Sequence, residues 1–292
     1  MAKLVFGCGY LGFRVARLWR QRGDDVLAVT RSAEKGPMLA REGLRPIVAD
    51  LAGAALDLGP LPAIDTVLFA VGYDRGSAAA IEQVYAGGVA QAVAAIPATV
   101  TRFIYVSSTG VYGDAAGESV DEETACRPTR AGGKASLAAE ELLHQSQMGQ
   151  RTIVLRMAGL YGPGRIPRAE AVLAGEPIDA PASGFLNLIH VDDAAAIVLL
   201  AEERAPLPRT YVVSDGQSVL RSEYYAELAR LLGAPPPRFV APDATSPAAQ
   251  RAASDKRVNN RRMMSELSPV LRYPSYREGL AAIVAERGAQ FD

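Results

Sequence analysis

The chain has 292 residues, of which 49% are hydrophobic and 22% charged, so it can bury a sizeable core. Its formal net charge of −1 argues against a nucleic-acid partner, because such proteins present a basic face. Cys8 and Cys126 form no metal-binding or disulfide pattern, and no apolar stretch approaches the length of a membrane span. We therefore expect a cytoplasmic protein with no signal peptide, no membrane partner and no metal site.

The first element of the chain is a short apolar strand that leads into a Gly-x-Gly-x-x-Gly pattern. Gly7 permits a tight turn, Gly9 lets a diphosphate approach the main chain, and Gly12 lets the next helix pack on the strand. Tyr10 and Leu11 lie where this helix begins, and helix N-termini offer N–H groups to phosphate oxygens. Because a strand precedes the glycines and a helix follows them, the pattern predicts a dinucleotide-binding turn.

The second predicted strand, residues 26–29, ends at Thr30. Folds of this kind that prefer NAD carry an acidic residue there, which binds the ribose 2′-hydroxyl. Arg31 follows Thr30 and precedes Ser32, and its guanidinium can pair with the 2′-phosphate of NADP. Arg31 is alternatively a solvated surface residue. The missing acidic side chain favours NADP as the cofactor, with NAD as the alternative.

Strands alternate with helices along the first half of the chain. The strands are predicted over residues 46–49, 65–71, 103–107 and 152–156, and the helices over residues 78–95 and 134–148. This alternation indicates an α/β fold with a doubly wound parallel sheet, the Rossmann fold, covered by helices on both faces. Parallel strands bind ligands at their carboxyl ends, so we expect further cofactor contacts there. They would come from Asp50, Leu51, Ala70, Val71, Gly72 and Ser107.

The second half of the chain is less regular and predicts a smaller second unit. We predict that residues 1–160 form the NAD(P)-binding domain and that residues 185–213 return to it. Residues 161–184 and 214–292 would then form a small C-terminal substrate lobe.

A helix that runs to about residue 203 is predicted to be capped by Asp192 or Asp193. His190 precedes this cap, and the chain has one other histidine, His144. These residues do not form a cluster with the spacing of metal ligands. We therefore interpret His190 as a buried structural residue.

Several motifs follow the glycine pattern in a fixed order. They are VSSTGVYG at 106–113, LR at 155–156, GLYGPG at 159–164 and IHVDD at 189–193. Together these stretches resemble the extended short-chain dehydrogenase/reductase family, the NAD-dependent epimerase/dehydratase group. The resemblance implies a seven-stranded sheet, a substrate lobe, and a homodimer formed through the helices predicted at 78–95 and 134–148. It also implies that Asp50 bonds the adenine amino group, where otherwise it would cap a turn.

The resemblance further implies catalysis by a serine or threonine, a tyrosine and a lysine. The tyrosine acts as the general acid/base, and a lysine one helical turn later lowers its pKa and holds the nicotinamide ribose. Matching Ser108 to the serine and Lys134 to the lysine places Arg130 where the tyrosine should stand. A guanidinium does not lose its proton in a useful range, so the sequence departs from the family at the proton donor.

Each candidate catalytic residue has a structural alternative. Ser108 orients a substrate or bonds the backbone at a strand end, and Lys134 holds the nicotinamide ribose or is solvated. Tyr112 offers a phenol to the cleft or packs its own loop. Arg130 pairs with an anionic substrate group or lies in solvent, and we favour solvent.

Cofactor binding is therefore better supported by the sequence than redox chemistry. We expect an NADP-dependent oxidoreductase acting on a small or sugar-like molecule, whose identity the sequence does not reveal. Two alternatives are a non-catalytic dinucleotide sensor and a nucleotide-sugar epimerase or dehydratase with a tightly held cofactor.

Overall fold

The computed structural model describes residues 1–53, 56–74, 76, 78–243, 249 and 254–288. Parts of the predicted substrate lobe, at 244–248, 250–253 and 289–292, lie outside the described residues. The boundaries of the two predicted units therefore stay a prediction.

The strands of the described residues are short in the second half of the chain and longer in the first. In chain order they are β1 (Ala2–Phe6), β2 (Asp25–Thr30), β3 (Arg45–Val48), β4 (Ile64–Phe69), β5 (Arg102–Ser108), β6 (Ser119–Val120), β7 (Thr152–Met157), β8 (Gly159–Tyr161), β9 (Ile178–Asp179), β10 (Phe185–Leu186), β11 (Leu188–His190), β12 (Arg209–Val213), β13 (Val219–Leu220), β14 (Phe239–Val240) and β15 (Arg257–Val258).

The α-helices alternate with these strands. They are α1 (Gly12–Gln21), α2 (Gly36–Arg41), α3 (Gly88–Ala95), α4 (Ala131–Gln145), α5 (Ala169–Leu173), α6 (Val191–Arg204), α7 (Arg221–Leu232), α8 (Arg261–Leu267) and α9 (Tyr276–Gly288). A π-helical segment, Gln83–Gly87, precedes α3, and short 3₁₀ turns lie at Ala33–Lys35, Thr109–Tyr112 and Gly149–Arg151.

Seven strands form one parallel sheet in the order β12-β7-β5-β4-β1-β2-β3. All residues of β1 and β7 are buried, as expected for strands that are covered on both faces. The chain winds from β1 toward β3 and then from β4 toward β12, so the direction reverses between β1 and β4. This arrangement confirms the doubly wound parallel sheet, and it places a ligand crevice at the carboxyl ends of β1 and β4.

Each face of the sheet has its own apolar core. On one face, α1 and α6 pack against strand residues such as Val5 and Leu68. On the other face, α3 and α4 pack against residues such as Leu4 and Phe69. A third cluster, contributed by α5, α7 and α9, includes Tyr224 and does not involve the seven-stranded sheet. The chain thus builds a separate apolar core beside the sheet.

Two predicted helices begin at different residues in the structure. The helix predicted over 78–95 begins at residue 81 and contains the π-helical segment. The helix predicted to begin at Lys134 begins at Ala131, three residues earlier. Lys134 therefore lies within the first turn of α4 and does not begin it.

The predicted cap of α6 is wrong. His190, which is buried as predicted, caps the helix, because its Nδ1 accepts a hydrogen bond from the amide of Asp192 at 3.2 Å. Asp193 lies inside the first turn and accepts hydrogen bonds from the amides of Arg272 and Tyr273 at 2.8 and 2.9 Å. An imidazole is rarely considered as a cap from sequence, since small polar residues are preferred.

Candidate cofactor and substrate cleft

A cleft of about 820 Å³ opens at the carboxyl ends of β1, β2, β4, β5 and β7. Most residues predicted to contact the cofactor line it. They are Gly7, Gly9, Tyr10, Leu11, Thr30, Arg31, Asp50, Leu51, Ala70, Val71, Gly72 and Ser107, together with the predicted catalytic residue Ser108. The described residues that line the cleft do not include Gly12, Ser32, Tyr112 or Lys134.

The glycine turn has the shape that a diphosphate requires. Gly7 has a φ of 84°, and a Cβ there would lie 2.6 Å from backbone atoms of Ala70 and Val71. A Cβ on Gly12 would lie 2.3 Å from the carbonyl oxygen of Gly7, whereas one on Gly9 would have every described atom beyond 4 Å. No described side chain caps the start of α1, so its N-terminus is available to an anion.

The end of the cleft near β2 combines cations with one carboxylate. Arg31 lines the cleft and forms an exposed ion pair with Asp74. A hydrogen bond from the amide of Gly76, together with Arg31, lowers the pKa of Asp74. Lys35, which the sequence did not single out, also lines this end. Arg31 is therefore placed at the cleft but is already engaged by a carboxylate.

The polar residues of the neighbouring turns bond the backbone. The Thr30 hydroxyl accepts a hydrogen bond from the amide of Ser32 at 3.3 Å. Asp50 accepts one from the amide of Ala52 at 2.9 Å, so it caps a turn. Asp50 also lines the cleft, and its predicted contact with adenine stays a prediction.

Ser108 lies at the end of β5 and faces the cleft. Its Oγ accepts a hydrogen bond from the amide of Gly110 at 3.0 Å and so caps the 3₁₀ turn Thr109–Tyr112. A hydroxyl that accepts from the backbone keeps its own proton to donate. The structural and catalytic interpretations of Ser108 are therefore compatible.

Tyr112 lies in a buried polar network rather than in the cleft. Its side chain is 2% exposed, and its hydroxyl accepts a hydrogen bond from Nη1 of Arg156 at 3.0 Å. Arg156 forms a buried ion pair with Glu140 at 2.7 Å, and Ser107 donates to the same carboxylate. Burial raises the pKa of Tyr112 well above its ordinary value. Tyr112 thus packs its own loop, and it is not placed to exchange protons with a ligand.

The side chains of α4 differ from the arrangement inferred from the sequence. Lys134 is exposed, whereas Ser136 is buried, lines the cleft and hydrogen-bonds to Tyr105. The residue one helical turn before Ser136 is Gly132, which has no side chain. Within α4, all of whose residues are described, no phenol and amine lie one turn apart beside the cleft. Lys134 is therefore not placed to hold a nicotinamide ribose.

The opposite end of the cleft is strongly cationic. Arg130 and Arg221 line it, although the sequence favoured solvent for Arg130, whereas Arg165 lines the cleft beside Tyr10 of the glycine turn. The guanidinium of Arg165 lies 5.3 Å from the ring centre of Tyr10. Arg221 donates to the carbonyl oxygen of Pro181 at 2.8 Å. These contacts hold two long cationic side chains at the edge of the cleft.

Lys256 is a buried cation at the same end, and the sequence did not single it out. It is 6% exposed and lines the cleft. Its ammonium donates to the carbonyl oxygen of Gly113 at 2.8 Å and to Oγ of Ser254 at 2.7 Å. Burial, helped by the nearby charge of Arg130, lowers the pKa of Lys256 to about 8. Because Gly113 precedes Lys256 by 143 residues, no local pattern could have revealed the site.

Residues 4–214 match the NAD dependent epimerase/dehydratase family, so the chain belongs to that family. The family and the glycine turn together support a nicotinamide dinucleotide as the cofactor. Within the described residues, no group of three or more His, Cys, Asp or Glu side chains could hold a metal ion. None of the helices among these residues combines the length and hydropathy needed to cross a bilayer.

Three relatives illustrate this membership. Protein YeeZ of Escherichia coli (strain K12) is 30% identical over 241 residues, which cover 80% of this chain and 85% of that protein. A 3-diazoavenalumate denitrifying reductase of a Streptomyces species is 28% identical and covers 96% of this chain and 99% of its own. The structure of a functionally unknown conserved protein from Silicibacter pomeroyi DSS is 29% identical with a TM-score of 0.78, over 98% of this chain and 99% of that one.

Proposed function

We propose that the protein is an NADPH-dependent reductase that acts on a small or sugar-like carbonyl compound carrying a carboxylate or phosphate. The observation that carries this proposal is the charge of the cleft. Its described lining residues include six cations but only two carboxylates, Asp50 and Asp74. The cations are Arg31, Lys35, Arg130, Arg165, Arg221 and Lys256. A cleft lined by one sign of charge concentrates ligands of the opposite sign.

The distribution of these cations supports two anionic groups at opposite ends. Arg31 and Lys35 lie near the end of β2, where a dinucleotide of this fold class places its adenosine ribose. A guanidinium and an ammonium there favour the 2′-phosphate of NADPH over the free hydroxyl of NADH. Arg130 and Arg221 lie at the other end, where they would bind the anionic group of the substrate.

A reductase fits α4 better than an epimerase does. Reduction of a carbonyl group needs a hydride and one proton, and NADPH supplies the hydride when it is bound. An epimerase must withdraw and return a proton, a task that the family scheme gives to a phenol whose pKa a neighbouring amine lowers. Gly132 and Ser136 supply neither group. The Streptomyces relative is itself named as a reductase, which favours the same reaction class.

A non-catalytic dinucleotide sensor is the second candidate, and it is favoured by the same absence of a phenol from α4. The two candidates differ in turnover. A sensor would bind NADPH without oxidising it in the presence of any carbonyl compound.

The proposal is tested by following NADPH oxidation with two matched aldehydes, para-carboxybenzaldehyde and benzaldehyde. We expect kcat/KM to be about tenfold higher or more for the carboxylate, the effect of one charge-assisted contact. Arg130→Met should reduce this preference, while Lys134→Met, an exposed control, should retain it. Equal values for the two aldehydes would contradict the anionic substrate, and saturable binding without oxidation would favour the sensor. The homodimer and the cytoplasmic location stay predictions.

A further inference from the structure

We propose that Lys256 donates the proton that completes this reduction, in the place of the phenol that α4 lacks. The inference rests on the proposed function, because it assigns the second half of the same reaction. It concerns a residue outside the matched segment 4–214.

The backbone around Lys256 is fixed from two sides. The Asp255 amide donates to the Asp114 carboxylate at 2.8 Å, and the Asp255 carbonyl oxygen accepts from the Ala115 amide at 2.9 Å. Nδ2 of Asn187 donates to the carbonyl oxygen of Lys256 at 2.9 Å. Asn187 lines the cleft as Lys256 does. A group held in this way meets the positioning that proton transfer demands.

The ammonium of Lys256 has a donor left for a ligand. It has three N–H groups, and its hydrogen bonds to described residues, Gly113 and Ser254, account for two. The two acceptors lie next to each other, because Oγ of Ser254 itself donates to the carbonyl oxygen of Gly113 at 2.7 Å. Because the side chain also lines the cleft, the remaining donor is available to a substrate oxygen.

Lys256 shares this end of the cleft with Ser108 and Arg130. A Cβ on Gly110 would lie 3.2 Å from Oγ of Ser108 and 3.7 Å from Nη2 of Arg130, so these two polar groups border the same turn. Three residues further along, Gly113 accepts the hydrogen bond from Lys256. The turn after β5 therefore gathers a hydroxyl, a guanidinium and an ammonium around one end of the cleft.

The surroundings of Lys256 tune its proton affinity toward neutrality. Burial and the charge of Arg130 lower the pKa of Lys256, whereas the carboxylates of Asp114 and Asp255 raise it. The pKa of Lys256 is about 8. An ordinary lysine holds its proton too tightly for efficient transfer near pH 7, and an arginine does not release it at all. Lys256 is charged at pH 7 and yet able to give up its proton.

The proposed reduction transfers one hydride and one proton to the carbonyl group. Hydride from bound NADPH forms the new C–H bond at the carbonyl carbon, and the C–O π electrons move onto the oxygen. NADPH is oxidised to NADP⁺ and the carbonyl compound is reduced. Lys256 gives one proton to this oxygen, which becomes a hydroxyl, and the neutral amine then takes up one proton from solution, so that the reduction consumes one solvent proton in all. Ser108 and Arg130 orient the substrate during the step.

The first test measures the titration of Lys256 directly and does not depend on turnover. The chain has four lysines, Lys3, Lys35, Lys134 and Lys256. In protein labelled with ¹³C at lysine Cε, we expect one signal to titrate near pH 8 and to be missing from Lys256→Arg. A midpoint for Lys256 in the ordinary lysine range, more than two units higher, would overturn the inference.

The second test compares Lys256→Arg and Lys256→Met with wild type, using NADPH and para-carboxybenzaldehyde across a pH range. Wild-type kcat should fall as the pH rises through about 8, because the acid is lost as the ammonium deprotonates. Both variants should lose about 100-fold or more in kcat, keep their NADPH affinity, and lose this pH dependence. Lys256→Arg retains a cation beside Gly113, so it carries the test if Lys256→Met fails to fold.

The outcomes separate the inference from the proposed function. If Lys256→Arg restores wild-type kcat and pH dependence, the residue acts only by its charge and the inference is overturned. If wild type oxidises no NADPH with any aldehyde, the proposed function fails and takes the inference with it. Loss of kcat in both variants with unchanged NADPH affinity supports the inference.

Discussion

The two ends of the cleft bind their ligands by different means. The cofactor end, around Gly7 and Gly9, is made of bare main chain and the start of α1. The substrate end is made of long cationic side chains, including Arg130, Arg221 and Lys256. At the cofactor end, the ligand can approach the main chain only because the glycines lack side-chain atoms, so a substitution that adds a side chain there is poorly tolerated. A site made of side chains depends on charge, which can be altered one residue at a time without disturbing the fold.

The largest expected effect lies at the cofactor end. Gly7→Ala should lower the free energy of unfolding by about 3 kcal/mol or more, because the methyl group meets the backbone of Ala70 and Val71 and φ is positive. Gly9→Ala places its methyl group in open space and should change that free energy by less than about 0.5 kcal/mol. Urea denaturation measures both. Similar losses for the two variants would mean that the turn is not shaped as described.

The next effect concerns the cations near β2. Arg31→Ala should weaken NADPH binding by about 1–3 kcal/mol and spare NADH, since it removes a charge-assisted hydrogen bond to the 2′-phosphate. Asp74→Asn should act in the opposite direction, because its carboxylate now engages Arg31. Calorimetric titration with each coenzyme measures the changes. An equal loss of NADPH and NADH affinity in Arg31→Ala would defeat the NADP assignment.

A pH-dependent effect is expected at Asp215, a buried residue that follows β12. Burial raises the pKa of its carboxyl to about 7, and its Oδ2 has no partner among the described groups. The folded state therefore favours the protonated acid, and that contribution to stability is lost as the pH rises from about 4 through 7.

Asp215→Asn keeps a neutral side chain at every pH and retains an acceptor for the amide of Gln217. It should be more stable than wild type by about 4 kcal/mol at pH 8, with the difference vanishing below about pH 4. Thermal or urea unfolding at the two pH values measures this. A difference that does not change with pH would show that Asp215 does not titrate as described.

The smallest effect is expected at Lys134. Its side chain is exposed on α4 and away from the described lining of the cleft. Lys134→Gln should therefore change NADPH affinity and kcat by less than about twofold, the scale of a solvated surface substitution. A tenfold loss of NADPH affinity or of kcat would show that Lys134 belongs to the site.

The glycine turn and the sheet that presents it could be predicted because their determinants are local. Three glycines within six residues encode the turn, and alternating strands and helices encode the sheet that presents it. In a parallel sheet the carboxyl ends of all strands lie at the same edge, which is why residues such as Asp50 and Ala70 were predicted to lie together at that edge.

The substrate end could not be predicted in the same way. Lys134 was placed by matching motifs, whereas the packing of α4 against the sheet decides which of its residues face the cleft, and that face carries Ser136. Lys256 reaches the cleft through contacts with Gly113 and Asn187, both far away in the sequence. Such tertiary contacts leave no periodic or motif signal in a single sequence.

The most direct test of the account is a fluorescence titration of NADPH and NADH into wild type and Gly9→Ala. We expect saturable binding to wild type. In Gly9→Ala the affinity should be at least about tenfold lower, because the methyl group occupies the space of the diphosphate. If wild type and Gly9→Ala unfold at the same urea concentration, the fold of the variant is intact. Absence of a saturable signal from either coenzyme in wild type, or an unchanged affinity in Gly9→Ala, would contradict the account.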